Sequence, residues 1–434
     1  MILNRLQPLM KRLTQHTVLA GLLEPVLEAW SQVRRPNAGG TRVLGMDDFI
    51  TLGVLRHLKA TPTLREQVQA LLHLSPEALA RPPLARSTWS DALASPWRRA
   101  VLEDLMPRLV RMARKVLPDR LAGFETLAGR PVYAMDGSYQ KESAHYRKCT
   151  PKDGGVDNPK GHGLLTFYDV RLGFAVDVRT ETDSRHEITL LKDYDRNPHA
   201  LTHERGALWL VDRAFIDARY WDGKKRRLKI TMITRMKKNL SVESTEGLPV
   251  DPAPVNEGVV SDLRITLLSS GEFWRLVTFR TRRGHTIEFL TNDFDLEPGM
   301  VAFMYSRRWD EEKCFDTWKN DFAQAKAWGK SPVAIANQTL LAMITALGAA
   351  MLVQRVLGDD DAVDHKSLDK QARRQSGEAG SRDGTDRPDW TVPLYRHVSK
   401  MSRQVLRFLK HAILLPASDR LYQQQLRPLL QAYL

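Results

Sequence analysis

Tyr305, Arg308, Glu312 and Lys319 stand at offsets of 3, 7 and 14 residues from the tyrosine. At roughly 100° per residue these offsets bring all four onto one face of a helix, within an arc of about 60°. That face carries a phenol, a guanidinium, a carboxylate and an ammonium, which together suit a phosphodiester. Asp310 and Glu311 point about 140° and 240° away from Tyr305. Asp316, at about 20°, shares the face, so phase alone leaves it open as an alternative acid to Glu312. A solvated helix of mixed charge would show the same spacing.

Two further acids have a common context. Asp136 follows the apolar run Pro131 to Met135, and Asp212 follows Ala207 to Val211, so each is expected to leave a strand at the carboxyl edge of a sheet. Either alone reads equally as a turn or helix cap. With Glu312 they make three carboxylates from separate elements. Such a set can hold two divalent cations about 4 Å apart, one at the attacking and one at the leaving oxygen of a phosphoryl displacement. Ligands that are all oxygen favour Mg²⁺ or Mn²⁺. Ser138 and His186 suggest a hydrolase, but no third partner or nucleophile-elbow sequence accompanies them.

Composition points to the partner. The 434 residues include 65 Lys and Arg against 51 Asp and Glu, a net charge of +14 that suits a polyanion such as nucleic acid. Charge alone would also fit a membrane surface. The best spanning stretch, Leu340 to Val353, is shorter than the roughly 20 residues a helix needs to cross a bilayer, and reads as a buried helix. The two cysteines, Cys149 and Cys314, belong to no ligand cluster and argue against a disulfide scaffold or zinc site. Without an apolar leader at the N-terminus, a cytoplasmic protein is expected.

The elements that position these groups are legible from periodicity. Helical spacing recurs over Val18 to Trp30, Phe49 to Leu58 and Leu102 to Leu117, giving a helical region 1–125 that is a plausible reader of DNA. Ser87 or Thr88 is expected to cap a helix that displays Arg86. Strands are expected at Pro131 to Met135, Leu164 to Val170, Phe174 to Arg179, Ala207 to Val211 and Leu228 to Thr234. A helix capped by Ser184 and Glu187 and another over Phe215 to Trp221 lie among them. Three strands, helix, strand, helix, strand is the order of a ribonuclease H-like α/β fold. It occupies 126–236 and resumes at 300–345. Between them, 237–299 alternates with a period of two and reads as a β-rich insertion. Region 346–434 is helical, with a mobile loop expected at about 358–388.

Tyr305-Ser306-Arg307-Arg308 through Glu312 to Lys319 resembles the helix signature of the DDE transposases of insertion sequence family 4 at all four positions. Val211-Asp212-Arg213-Ala214-Phe215 resembles the second acidic motif of that family, and Tyr133-Ala134-Met135-Asp136-Gly137-Ser138 the first. The resemblance spans roughly residues 130 to 345 and ranks Glu312 above Asp316. It implies a ribonuclease H-like core with a β insertion before its last acid, and Asp136, Asp212 and Glu312 as catalytic metal ligands for Mg²⁺, with Mn²⁺ able to substitute. It further implies that Tyr305, Arg308 and Lys319 hold DNA phosphates, and that a homodimer acts on element ends and target DNA by cleavage, hairpin formation and strand transfer. A flipped base would need a stacking aromatic, for which Phe289 and Trp274 are the candidates. A catalytically inactive DNA-binding derivative and a nuclease without strand transfer are the alternatives. The basic runs Lys224 to Arg227, Arg235 to Lys238 and Arg280 to Arg283 could track phosphates.

Overall fold

The computed structural model describes residues 7, 10–11, 13–34, 44–59, 63, 65–67, 84–141, 161–181, 186–281, 284–308, 318, 322, 324, 327–329, 331–357 and 401–433. The chain first passes through helices α1 (Val18–Ser31), α2 (Met46–Leu58), α3 (Arg86–Leu93) and α4 (Pro96–Val116). Thr17 caps α1 by accepting from the Ala20 amide. Ser95 caps α4 by accepting from Arg98, and Pro96 sits at the start, where a missing N–H is harmless. The expected cap at Ser87 or Thr88 is not used, because α3 already begins at Arg86 with Ala85 before it.

Then follow β1 (Val132–Lys141), β2 (Gly161–Asp169), β3 (Phe174–Glu181), α5 (Glu187–Tyr194), β4 (Leu208–Val211), α6 (Ala218–Leu228) and β5 (Thr231–Arg235). Strands β1 to β3 form an antiparallel meander, and β4 and β5 add in parallel beside β1. This is a ribonuclease H-like arrangement in a mixed α/β fold. Next come β6 (Val242–Gly247), β7 (Val259–Leu267), β8 (Phe273–Arg280) and β9 (Thr286–Thr291). They do not form a sheet of their own. Ile233 of β5 pairs with Thr291 of β9, so among the described residues one nine-stranded sheet runs β3-β2-β1-β4-β5-β9-β8-β7-β6.

One strand differs from its expected span. β1 does not stop at Asp136 but continues to Lys141, with Asp136, Gly137 and Ser138 paired to Thr166, Leu165 and Leu164. Pairing within the hairpin overrides the turn tendency of Gly and Ser. Strand β5 starts late because Lys229, at φ 58°, ends α6 in the left-handed region.

The sheet pleat assigns side chains to faces, since neighbours along a strand point to opposite sides. Val132, Ala134, Leu208, Leu210 and Ile233 share a core with helix α7 (Pro298–Arg307), whereas Tyr133, Met135, Trp209 and Val211 face the N-terminal helices and α8 (Pro332–Leu357). Helix α8 is long and apolar enough by composition to cross a membrane, but 89% of its apolar window is buried inside the protein. Its Asn337 amide donates to the Leu93 carbonyl at 2.8 Å, which settles a polar group in this interior. The boundary expected at 345–346 falls inside this helix, and the loop expected at 358–388 lies outside the described residues. Helices α9 (Met401–Ala412) and α10 (Arg427–Tyr433) follow.

The entry to α7 is fixed by the preceding strands. The Gly299 N–H donates to Asn256 Oδ1 at 3.0 Å, and the Asn256 amide donates to Glu297 at 3.1 Å. Arg275 forks onto Asp262 at 2.8 and 2.5 Å and sends a third donor to the Leu296 carbonyl at 2.5 Å. A bidentate buried pair of this kind is geometrically specific. It anchors the loop that leads into the helix.

Candidate active site at the sheet edge

The parallel register pairs Met135 of β1 with Val211 of β4. The next residue along each chain is an aspartate, so Asp136, within β1, and Asp212, just past the end of β4, stand side by side where β4 stops, on strands about 4.8 Å apart. Parity puts both on the α7 face, with Ala134 and Leu210. Asp136 accepts from the Gly137 amide at 2.8 Å. Asp212 accepts from the Arg213 amide and caps the short 3₁₀ turn Arg213–Phe215.

Helix α7 brings Tyr305 and Arg308 to these acids. Arg308 Nη1 lies 3.3 Å from Asp136 Oδ2, and its guanidinium carbon is 5.8 Å from the centre of the Tyr305 ring. Tyr305 is buried, its ring 5.2 Å from that of Phe289. Burial raises its pKa, Arg308 opposes the rise and Asp212 adds to it, so the phenol stays protonated as a donor. Glu312, Lys319 and the competing Asp316 lie outside the described residues.

Glu187 joins this group, although its spacing from Ser184 suggested only a helix cap. His186 takes the cap position, and Glu187 opens α5. A Cβ built on Gly137 would lie 2.2 Å from Glu187 Oε1, so this carboxylate rests on the bare α-carbon beside Asp136. Burial raises its pKa, Asp136 and Asp212 raise it further, and Arg308 opposes them. The signal in the sequence was the glycine: an acid on the helix after β3 can approach the edge only where no side chain intervenes.

Among the described residues, no three His, Cys, Asp or Glu side chains converge closely enough to hold a metal ion by themselves. Asp136 and Asp212 nevertheless fit a hard divalent cation: they are adjacent carboxylates on one face, and a cation, Arg308, already neutralises one of them. Arg308→Gln is therefore expected to tighten Mn²⁺ binding to the DNA-free protein by about fivefold, the loss of a competing ion pair worth about 1 kcal/mol. Calorimetric titration reads this directly, and unchanged affinity would show that the guanidinium does not compete.

Strand direction sorts the basic runs. β5 runs parallel to β1 and β4, and β8 runs with β5 through antiparallel β9, so exposed Arg235 and Arg280 lie at the same edge as the two aspartates. Within the run at 224–227, the two lysines are held by protein partners, while Arg226 and Arg227 are exposed. Lys224 is buried and donates to Asp195 and to the Thr202 carbonyl, Lys225 donates to the Asn292 carbonyl at 2.6 Å, and Arg226 pairs with Glu272. Phe289 and Trp274 are core residues and expose no ring for a base. Trp274 Nε1 donates to Asp222 and Ser270, tying the β7–β8 hairpin to α6. If the Arg235 and Arg280 edge meets phosphates, neutralising each to Gln lowers the slope of log K against log salt by about 1. An unchanged slope in binding isotherms would remove them from the interface.

Residues 128–347, just over half of the chain, match the family model described as the transposase DDE domain. The chain belongs to this transposase family. The matched range holds both aspartates, Tyr305 and Arg308, together with the strands and helices that place them. No curated protein matches the chain. Among solved structures, the transposase resembles a cryo-electron microscopy structure of a piggyBac transposase synaptic complex with hairpin DNA. Identity is 10%, the alignment covers 98% of this chain and 85% of that chain, and the TM-score is 0.40, a likeness that carries no further argument.

Proposed function

We propose that this transposase is of the insertion sequence family 4 type and that it cuts DNA at the ends of its element and joins them to target DNA. The observation that carries this reading is the pairing of Met135 with Val211, which sets Asp136 and Asp212 side by side facing Arg308. Asp136, Asp212 and Glu312 would hold Mg²⁺, or Mn²⁺ in its place. When bound, the cation supplies Lewis acidity and lowers the pKa of a coordinated hydroxyl. Arg308 leaves Asp136 for a non-bridging phosphate oxygen once DNA enters, and the protonated Tyr305 donates from the wall of the site. Lys319 adds a point charge to the phosphate. The helical region 1–125 would read the element end, and a homodimer would hold two ends together. The resemblance in the helix signature supports a hairpin intermediate.

Incubating the protein with DNA that carries its element ends and with Mg²⁺, Mn²⁺ or EDTA tests this reading. Nicked, hairpin and joined products that require the metal are expected. Nicks without joined ends would make the protein a nuclease, and intact DNA in every metal would leave only an end-binding protein.

A further inference from the structure

Arg235 stands in one row of the sheet with the two aspartates. In the parallel pair of β4 and β5, Leu210 lies opposite Ile233, and carrying that register two residues on sets Arg235 level with Asp212. Asp212 keeps an extended backbone past the end of β4, which lets the register continue. Asp136, Asp212 and Arg235 thus occupy three neighbouring strands, each about 4.8 Å from the next. Parity gives all three one face. Ile233, two residues before Arg235, belongs to the core under α7 together with Ala134 and Leu210. On the other side of Arg235 the row continues with Phe289 of β9, whose ring is 5.2 Å from that of Tyr305. Burial raises the Tyr305 pKa, and the charge of Arg235 joins that of Arg308 in opposing the rise, so both guanidiniums lie in the field of one phenol.

The two arginines differ in what holds them. Arg308 is buried against Asp136, whereas Arg235 is exposed, and its guanidinium makes no hydrogen bond or ion pair among the described residues. Glu288 on β9 is one residue out of register with Arg235 and faces the other side. The Met236 N–H donates to the Glu288 carbonyl at 2.9 Å, so the backbone carrying Arg235 is held in the ladder.

We propose that Arg235 is a further phosphate-binding residue of the reacting centre, gripping a non-bridging oxygen of a DNA phosphate beside Asp212. This rests on the reading of the site as a DNA-cleaving centre. A guanidinium on a paired strand presents its planar fork from a fixed position, which suits the charge that builds on a phosphate during displacement. Arg280 is the natural comparison. It ends β8 at the same edge, but Val277 and Phe279 take the α7 face, so Arg280 points to the opposite side.

Cleavage of element-end DNA in Mn²⁺ tests the proposal, with the single-turnover rate at saturating DNA read apart from the DNA dissociation constant in EDTA. Arg235→Gln is expected to lower the rate at saturation by about 10²-fold, with Arg235→Lys recovering part of the loss. Arg280→Gln is expected to lose at least about tenfold less rate, because a phosphate contact away from the reacting atoms adds affinity without favouring the transition state. Both arginines are exposed, so unfolding midpoints should match the wild type. If Arg235→Gln loses only affinity, or if Arg280→Gln loses as much rate, Arg235 belongs to a general basic edge and the proposal fails alone. If the wild type leaves the DNA intact, or Asp212→Asn cuts as the wild type does, the cleaving-centre reading fails and takes the proposal with it.

Discussion

Asp212→Asn is expected to reduce metal-dependent cleavage of element-end DNA by at least about 10³-fold, the several kcal/mol a metal ligand contributes to a phosphoryl transition state. The substitution isolates charge from shape. Asparagine keeps the side-chain oxygen that accepts from the Arg213 amide, so the turn after β4 and the packing of Phe215 behind it should persist. The melting temperature should therefore hold. DNA affinity measured in EDTA should stay level or rise, because one negative charge has left the surface proposed to face phosphates. Asp136→Asn should match it in cleavage and differ in one respect, since it also removes the ion partner of Arg308. Cleavage within tenfold of the wild type for either variant, with folding intact, would falsify the assignment of that aspartate to the reacting centre.

The second large effect is structural and remote from the acids. Gly299→Ala is expected to destabilise the protein by about 3 kcal/mol, the upper end for overpacking a rigid interior. The new Cβ would lie 1.7 Å from the Val255 carbonyl oxygen and 2.7 Å from its carbon. Both are backbone atoms, so no side chain can rotate away. Relief requires α7 to lift from the turn at 254–256, and the helix carries Tyr305 and Arg308 with it. Cleavage should accordingly fall even at temperatures where the variant remains folded. Gly247→Ala is the control, because nothing lies within 4 Å of its added Cβ. Its stability should change by less than about 0.5 kcal/mol, as for other open surface sites. Equal denaturation midpoints for the two variants would show that the helix entry yields more easily than its contacts suggest.

Periodicity located most of what positions the site. Alternation over 273–280 and 286–291 coincides with β8 and β9, and the apolar run before Asp212 is β4 almost residue for residue. Local pattern carries this because a strand buried on both faces or one must show it wherever it occurs in the chain. Information that depends on pairing was hidden. The first strand was expected to end at Met135, yet β2 holds Asp136, Gly137 and Ser138 in the ladder. Nothing local to 237–299 says that Thr291 will find Ile233 and merge the insertion with the core sheet. Tyr305 and Arg308 were legible by helical phase, whereas the partner that Arg308 meets in the DNA-free protein is 172 residues away. Glu187 was overlooked for a similar reason. Its spacing from Ser184 suited a cap, and only the parity of Gly137 in a paired strand reveals what the glutamate touches. Charge runs were the least reliable guide, since Lys224 spends its charge on Asp195 in the interior.

In the sheet, β9 lies next to β5, although the chain makes β6, β7 and β8 between them. The ribosome therefore releases both aspartates long before it releases α7, and α7 is the element that closes over Val132, Leu208 and Ile233. A nascent chain halted anywhere short of Pro298 has two acids at a sheet edge, an uncovered apolar face and no Arg308 beside them. The strands that enlarge the sheet thus lengthen the interval between the two aspartates and the helix that faces them, and only a chain extended past Arg308 can bring Asp136, Asp212, Tyr305 and Arg308 together.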